Sequence, residues 1–296
     1  MSSPASRPIG VYDSGVGGLS VLREIRAQLP GEPLVYVADT AHVPYGEKSA
    51  DEVAARALAV AGYFAARGAR AMAVPCNTAT AAAVALLRER HPGMPIVGIE
   101  PAVKPAAALT RSGTIGVLAT TGTLASARFR ALVEREAPAA RILLQPCPDW
   151  VLAVEAGVVS GPEAAALVAP AVRALLEQGA DVLVLGCTHF PFLREAIAAC
   201  AGPQVPVLET GAAVARQLRR RLAERDAAVA RDGEAAVGPA TACGGEAARA
   251  AGPGPGDCGL GDCEFLASGD PAGFARIAGG LLGAPVRAGR LPREYC

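Results

Sequence analysis

Two segments place a thiol at the end of an apolar run. AMAV (71–74) leads through Pro75 into Cys76, Asn77 and Thr78, and VLVL (182–185) leads through Gly186 into Cys187, Thr188 and His189. The second reads as a buried strand, a short loop and the start of a helix, with Pro191 at a favoured first helical position. A thiol has a reference pKa of about 8.5, near enough to neutrality to work as an acid or a base. A helix N-terminus or a neighbouring cation makes its thiolate more available. A carbon held between one thiolate and one thiol can lose a proton from one face and regain it on the other, which inverts a stereocentre.

Other side chains can assist such chemistry. His189, two residues past Cys187, can promote thiolate formation or carry a proton to it. Asp13 opens the glycine-rich loop DSGVGGLS (13–20). It reads either as a helix cap or as an acid–base auxiliary. The loop lacks the lysine of a phosphate loop and the G-x-G-x-x-G spacing, leaving a carboxylate-binding loop or a tight turn. Glu155, in WVLAVEAG, reads as a solvated helix charge. Cys147 and Cys200 read as small core residues. Cys243, Cys258 and Cys263 have no C-x-x-C pair, so no metal site is expected.

The elements that position these groups follow from periodicity. Strands are expected at 9–12, 34–38, 71–74, 95–99, 115–119, 141–145, 182–186 and 206–208, alternating with amphipathic helices. Ser49 and Glu52 form a capping box for one helix, and Pro30 and Gly31 end another. Strands apolar throughout, alternating with helices, indicate parallel sheets covered on both faces. The chain also repeats itself. IGVYDSGVGGLS from Ile9 matches IGVLATTGTLAS from Ile115, GARAMAVPCNTA from Gly68 matches GADVLVLGCTHF from Gly179, and PIVGIE from Pro95 has an echo in PVLETG from Pro206. The order is kept and the offset is nearly constant, so Cys76 and Cys187 are counterparts. Two facing halves would point both thiols into one cleft beyond the strand ends. The expected division is 1–101 plus 212–296, with a helix at 212–225 and a loose excursion at 226–263, against 102–211.

Composition narrows the partners. Lysine plus arginine and aspartate plus glutamate both number 28, and aromatic residues make up 4%. Neither figure suggests a nucleic acid or an anionic membrane as partner. The first residues carry no apolar run of signal-peptide length, and no stretch is long and apolar enough for a bilayer, so a cytoplasmic protein with reduced cysteines is expected. The only lysines are Lys48 and Lys104. Neither sits in a plausible Schiff-base pocket, so no pyridoxal phosphate is expected.

The segments VYDSGVGGLSVL, YVADTAHVPYGEKS, VPCNTAT, VLATTGTLAS, LGCTHFPFL and FLASGDP together resemble the glutamate racemases of the aspartate/glutamate racemase family. The resemblance implies two pseudo-symmetric flavodoxin-like α/β domains around a cleft. It implies a cofactor-independent homodimer that interconverts L- and D-glutamate and supplies D-glutamate for peptidoglycan. By position, it makes Cys76 and Cys187 the acid–base thiols and Asp13 and His189 their auxiliaries. Ser14, Pro44, Tyr45, Gly46, Asn77, Thr78, Thr120, Thr123 and Thr188 would line the substrate site with them. No arginine lies in these motifs, so backbone amides and hydroxyls would hold the carboxylates. The family often has two adjacent glutamates where this chain has Glu155 and Ala156, and usually an alanine where it has Pro75. The alternatives are a racemase for another acidic amino acid such as aspartate, a non-catalytic carboxylate-binding module, and a dithiol redox protein.

Overall fold

The computed structural model describes residues 7–236 and 261–296. In the first part of the chain β1 (Ile9–Asp13), α1 (Leu19–Gln28), β2 (Leu34–Ala38), α2 (Ala50–Ala66), β3 (Ala71–Val74), α3 (Asn77–Arg90) and β4 (Ile96–Gly98) alternate. Next come α4 (Val103–Leu109), β5 (Thr114–Ala119), α5 (Thr121–Ala125), α6 (Ala127–Glu136), β6 (Arg141–Pro146), α7 (Pro148–Glu155), α8 (Gly161–Glu177), β7 (Val182–Leu185), α9 (Arg194–Ala201) and β8 (Val207–Leu208). The chain continues in α10 (Gly211–Ala236), β9 (Cys263–Ala267), α11 (Pro271–Leu282) and β10 (Ala288–Arg290).

The strands form two parallel sheets, ordered β10-β9-β2-β1-β3-β4 and β6-β5-β7-β8. The order β2-β1-β3-β4 in the first has its image in β6-β5-β7-β8 in the second, and the repeated segments occupy equivalent strands. Because strand residues alternate between faces, Tyr12, Val35, Val37, Met72 and Val74 pack under α2 and α3. Ile115, Val117, Val182 and Val184 pack under α4 and α6 in the same way. The opposite faces share one continuous core, running from Ile9, Val11 and Tyr36 through Trp150 and Phe190 to Leu183 and Leu185.

Local signals account for the helix ends. The Ser49 side chain accepts from the Glu52 amide while the Glu52 carboxylate accepts from the Ser49 amide. Asp270 caps α11 through the amides of Ala272 and Gly273. Two expectations need correction. The helix expected at 212–225 runs from Gly211 to Ala236, so 226–236 is helical rather than loose. Asp13 does not cap α1, whose N-cap is Gly18 with no side-chain bond. Among the thiols expected to lack a metal, Cys243 and Cys258 lie outside the described residues. Among the described residues no helix is long and apolar enough to cross a membrane.

Gly10 and Gly116 are equivalent in the repeat, and both let a helix approach its sheet. A Cβ on Gly10 would lie 2.6 Å from the Phe64 ring, and one on Gly116 would lie 2.8 Å from Leu175 Cδ1 and Leu183 Cδ2. The Phe64 ring is fully buried and cannot yield at an edge, whereas the leucine tips can rotate. Gly10→Ala is therefore expected to destabilise by roughly 1–3 kcal/mol from overpacking, and Gly116→Ala by less. Urea unfolding of the two variants checks the ranking, and equal midpoints would contradict it.

Candidate active site

The carboxyl ends of β1, β3, β5 and β7 face one another across a narrow cavity. Its lining is Ser14, Tyr45, Gly46, Cys76, Asn77, Thr78, Thr120, Thr123, Val151, Cys187, Thr188 and His189. It admits water over only about 20 Å³. A wider opening of about 280 Å³ shares Asn77, Cys187 and Thr188 with it and reaches Arg23 and Arg194. Both thiols are free and buried. No arginine or lysine lines the inner cavity.

Each thiol owes its place to a strand end. Cys76 is the N-cap of α3, and its sulfur accepts from the Ala79 amide at 3.4 Å and lies 3.7 Å from Ser14 Oγ. Burial and the nearby Asp13 carboxylate push this thiol up to about 12. Near neutral pH Cys76 is thus a neutral thiol, able to give a proton. Cys187 follows β7, and its sulfur lies 3.6 Å from His189 Nδ1.

The other nitrogen of that ring, His189 Nε2, lies 2.7 Å from Glu155 Oε1. Burial alone would favour the neutral imidazole. The hydrogen bonds to Cys187 and Glu155 outweigh it and hold His189 well above its ordinary value. That raised value favours the charged ring between the Cys187 sulfur and the Glu155 carboxylate. Glu155 is therefore not the solvated helix charge that its sequence neighbourhood suggested. It reaches the site because Trp150 on α7 packs edge-on against Phe190, with ring centroids 4.9 Å apart. Five residues on, at the end of α7, Glu155 reaches the loop that follows Cys187 through His189. Val151, on the same helix, lines the cavity, and its apolar side chain gave no signal in the sequence.

The glycine-rich loop serves the protein's own carboxylates. Gly15 N donates to Asp13 Oδ1 at 2.9 Å, and Val16 N donates to Glu155 Oε1 at 2.8 Å. A Cβ on Gly15 would fall 1.8 Å from Glu155 Oε1, and one on Gly17 would fall 2.4 Å from His189 Nδ1. These glycines permit close approach; neither has positive φ. Asp13 is buried behind the cavity rather than in its wall, and accepts a hydrogen bond from Thr188 Oγ1 at 3.1 Å. Burial lifts its carboxyl above the ordinary value, an effect partly offset by the charge on His189.

The hydroxyl-bearing residues gather as a set. Thr78 Oγ1 lies 3.0 Å from Thr120 Oγ1 and 3.3 Å from Thr123 Oγ1, so the two halves meet through hydroxyls. Asn77 is buried, and its Oδ1 has no hydrogen-bond partner. Pro44 does not line the cavity, although its neighbours Tyr45 and Gly46 do.

Comparison with known proteins follows this geometry. Residues 9–218 match the Asp/Glu/hydantoin racemase family. A glutamate racemase of Pseudomonas entomophila is 58% identical over 221 residues, 75% of this chain and 83% of that protein. The crystal structure of Escherichia coli glutamate racemase, in complex with L-glutamate and the activator UDP-MurNAc-Ala, is 30% identical. It covers 96% of this chain and 98% of that one, with a TM-score of 0.76. That of Thermus thermophilus, in complex with β-chloro-D-alanine, is 31% identical with a TM-score of 0.71, covering 99% of this chain and 100% of that one. With the family matched along most of its length, and relatives this similar covered almost end to end, the chain belongs to the Asp/Glu/hydantoin racemases, on the glutamate racemase branch.

Proposed function

We propose that the cavity interconverts L- and D-glutamate by two bases and without a cofactor, Cys187 serving the L enantiomer and Cys76 the D enantiomer. The observation that carries this is the pair of buried free thiols, one from each sheet, in the wall of a single cavity. In the L-to-D direction the Cys187 thiolate takes the α-proton on one face. The Cys76 thiol gives its proton to the opposite face, leaving a Cys76 thiolate and a Cys187 thiol. The reverse reaction starts from that second form. The resting arrangement suits L-glutamate, because Cys76 is held protonated while the His189 imidazolium faces Cys187.

Substrate is held without cationic side chains. The unpartnered Asn77 Oδ1 is an acceptor for the ammonium group, since a buried polar atom left unpaired is costly. Ser14, Thr78, Thr120, Thr123 and Thr188 supply hydroxyls for the carboxylates. An inner space of about 20 Å³ holds a water or two, not glutamate, so entry requires the two halves to part. Asp13 and His189 act as auxiliaries, and Glu155 keeps His189 charged. The same likeness supports D-glutamate supply to peptidoglycan by a cytoplasmic homodimer. For the domains we propose 1–101 plus 212–296 against 102–211, supported by the place of β9 and β10 in the first sheet.

The test of the reaction is L-glutamate in D2O with no added cofactor. The α-proton NMR signal and the circular dichroism should both decay to zero; retention of either removes glutamate racemisation. Cys76→Ser and Cys187→Ser should each lower racemisation by roughly 10²–10⁴-fold, the usual scale for losing an acid–base group. Each variant keeps one base. With a glutamate analogue carrying a leaving group at the β-carbon, Cys76→Ser should eliminate only from the L form and Cys187→Ser only from the D form. Elimination of both forms by either variant would end the two-base reading.

The pH profile tests the imidazolium. His189 has a raised pKa, so its charge is present at low and neutral pH and is lost as pH climbs through that raised value. Activity should fall on the alkaline side as the ring ceases to separate the Cys187 sulfur from the Glu155 carboxylate. The enantiomers are equal in free energy, so kcat/KM must show the same profile in both directions. Glu155→Gln should move the alkaline limb to lower pH, and an unmoved limb would show that Glu155 does not hold the ring charged.

A further inference from the structure

We propose that the ion pair of buried Asp39 with half-buried Arg56, just outside the cavity wall, is a positioning device for this reaction: through the Tyr45 hydroxyl it latches the loop 42–48 in place against the second domain. The proposal rests on the reading of Tyr45 and Gly46 as part of a substrate site. It concerns residues outside the cavity wall, since neither Asp39 nor Arg56 lines it.

Asp39 follows β2 and its side chain is wholly buried. Arg56, on α2, grips the carboxylate with a fork: Nε donates to Oδ2 and Nη2 to Oδ1, both at 2.9 Å. Such a fork fixes the plane of the carboxylate as well as its position. The Tyr45 hydroxyl donates to the same Oδ2 at 2.5 Å. Because its proton is committed there, Tyr45 accepts from the Tyr12 hydroxyl, also 2.5 Å away. His42 Nδ1 lies 3.1 Å from Oδ1. Arg56 is held from behind by the end of the chain, since its Nη2 also donates to the Tyr295 carbonyl at 2.8 Å. Burial alone would raise the Asp39 carboxyl; hydrogen bonds from Arg56, Tyr45 and Ser268 outweigh it and keep it below the ordinary value. The group is thus a carboxylate able to accept all these donors.

The loop needs such an anchor. Its own secondary structure is a single 3₁₀ turn, Tyr45–Glu47. Yet it must stand close to the second domain: a Cβ on Gly46 would lie 2.9 Å from Thr120 Cβ, and one on Gly122 would lie 3.1 Å from the Gly46 carbonyl oxygen. Tyr45 is therefore fixed at one end by the ion pair, while the next residue abuts Thr120, a member of the hydroxyl cluster. Stability alone is a weak reason for this ion pair, because desolvation of the buried Asp39 carboxylate offsets much of its attraction. A fixed hydroxyl direction is what the fork supplies and an apolar pair could not.

Two variants test the latch without removing a charge from the interior. Tyr45→Phe keeps the ring and loses the hydroxyl; Arg56→Lys keeps the charge and loses the fork. Three readouts are taken on the full chain: amide hydrogen exchange of 42–48, thermal midpoint, and kcat and KM for L-glutamate. Both variants should speed exchange within 42–48 and raise KM, Tyr45→Phe by roughly tenfold, the scale of one hydrogen bond to a charged group. Arg56→Lys should show the same pattern at smaller size. A fall in thermal midpoint with KM and loop exchange unchanged would overturn the latch and leave only fold support. An effect of Tyr45→Phe with none of Arg56→Lys would also overturn it, by giving the hydroxyl a direct role on substrate. Absence of glutamate turnover in the unmodified protein would instead remove the function proposed above, and exchange at 42–48 in the two variants would still decide the latch.

Discussion

The structure depends on how closely the loop Ser14–Gly18 can be approached from the other half of the molecule. Glu155 and His189 press into space that any side chain at Gly15 or Gly17 would fill. Only because that space is open can the Val16 amide reach the Glu155 carboxylate. Glu155 in turn holds the ring that faces Cys187. The same loop carries Ser14 to the sulfur of Cys76 and turns Asp13 inward. One backbone segment therefore governs the surroundings of both thiols, and it does so by what it lacks.

Symmetry and asymmetry have separate physical origins here. The repeat delivers two equivalent strand ends, and with them two sulfurs into one cavity. It does not deliver two equivalent sulfurs. Cys76 has a hydroxyl and a backbone amide beside it, no cation, and Asp13 behind it, so its proton is tightly held. Cys187 faces the His189 ring, whose value is raised by its hydrogen bonds to Cys187 itself and to a carboxylate from α7. Repetition thus gives the two thiols matching positions, and side chains that differ between the halves give them differing surroundings.

The polar groups of the cleft also join the domains. Asp13 with Thr188, Ser20 with the Thr188 carbonyl, Val16 with Glu155, and Thr78 with Thr120 and Thr123 are all bonds across the cleft. Parting the halves breaks these bonds. Thr78, Thr120, Thr123 and Thr188, proposed above to hold substrate, are thus also among the residues that join the halves.

Much was legible in the order of residues alone. Apolar runs marked the strands because parallel strands are buried on both faces. The Ser49–Glu52 box, Pro30 with Gly31, and the repeat placed helices, halves and both cysteines, because these signals are local or recur along the chain. β10 was not legible: Ala288–Arg290 is a short edge strand recognisable only by its pairing with β9. The extension of α10 to Ala236 was hidden by an alanine- and glycine-rich composition that also suits a loop. Glu155 looked like a surface charge because its partners are 34 and 139 residues away. The Asp39–Arg56 fork joins the end of a strand to a helix past an intervening loop. The sequence by itself determined the fold class, the two halves and the two thiols, all set by short-range pattern and repetition. Only the tertiary structure decided which carboxylate meets His189 and which residues bond to Tyr45 in the loop 42–48, because those bonds exist only where two sheets and their helices pack.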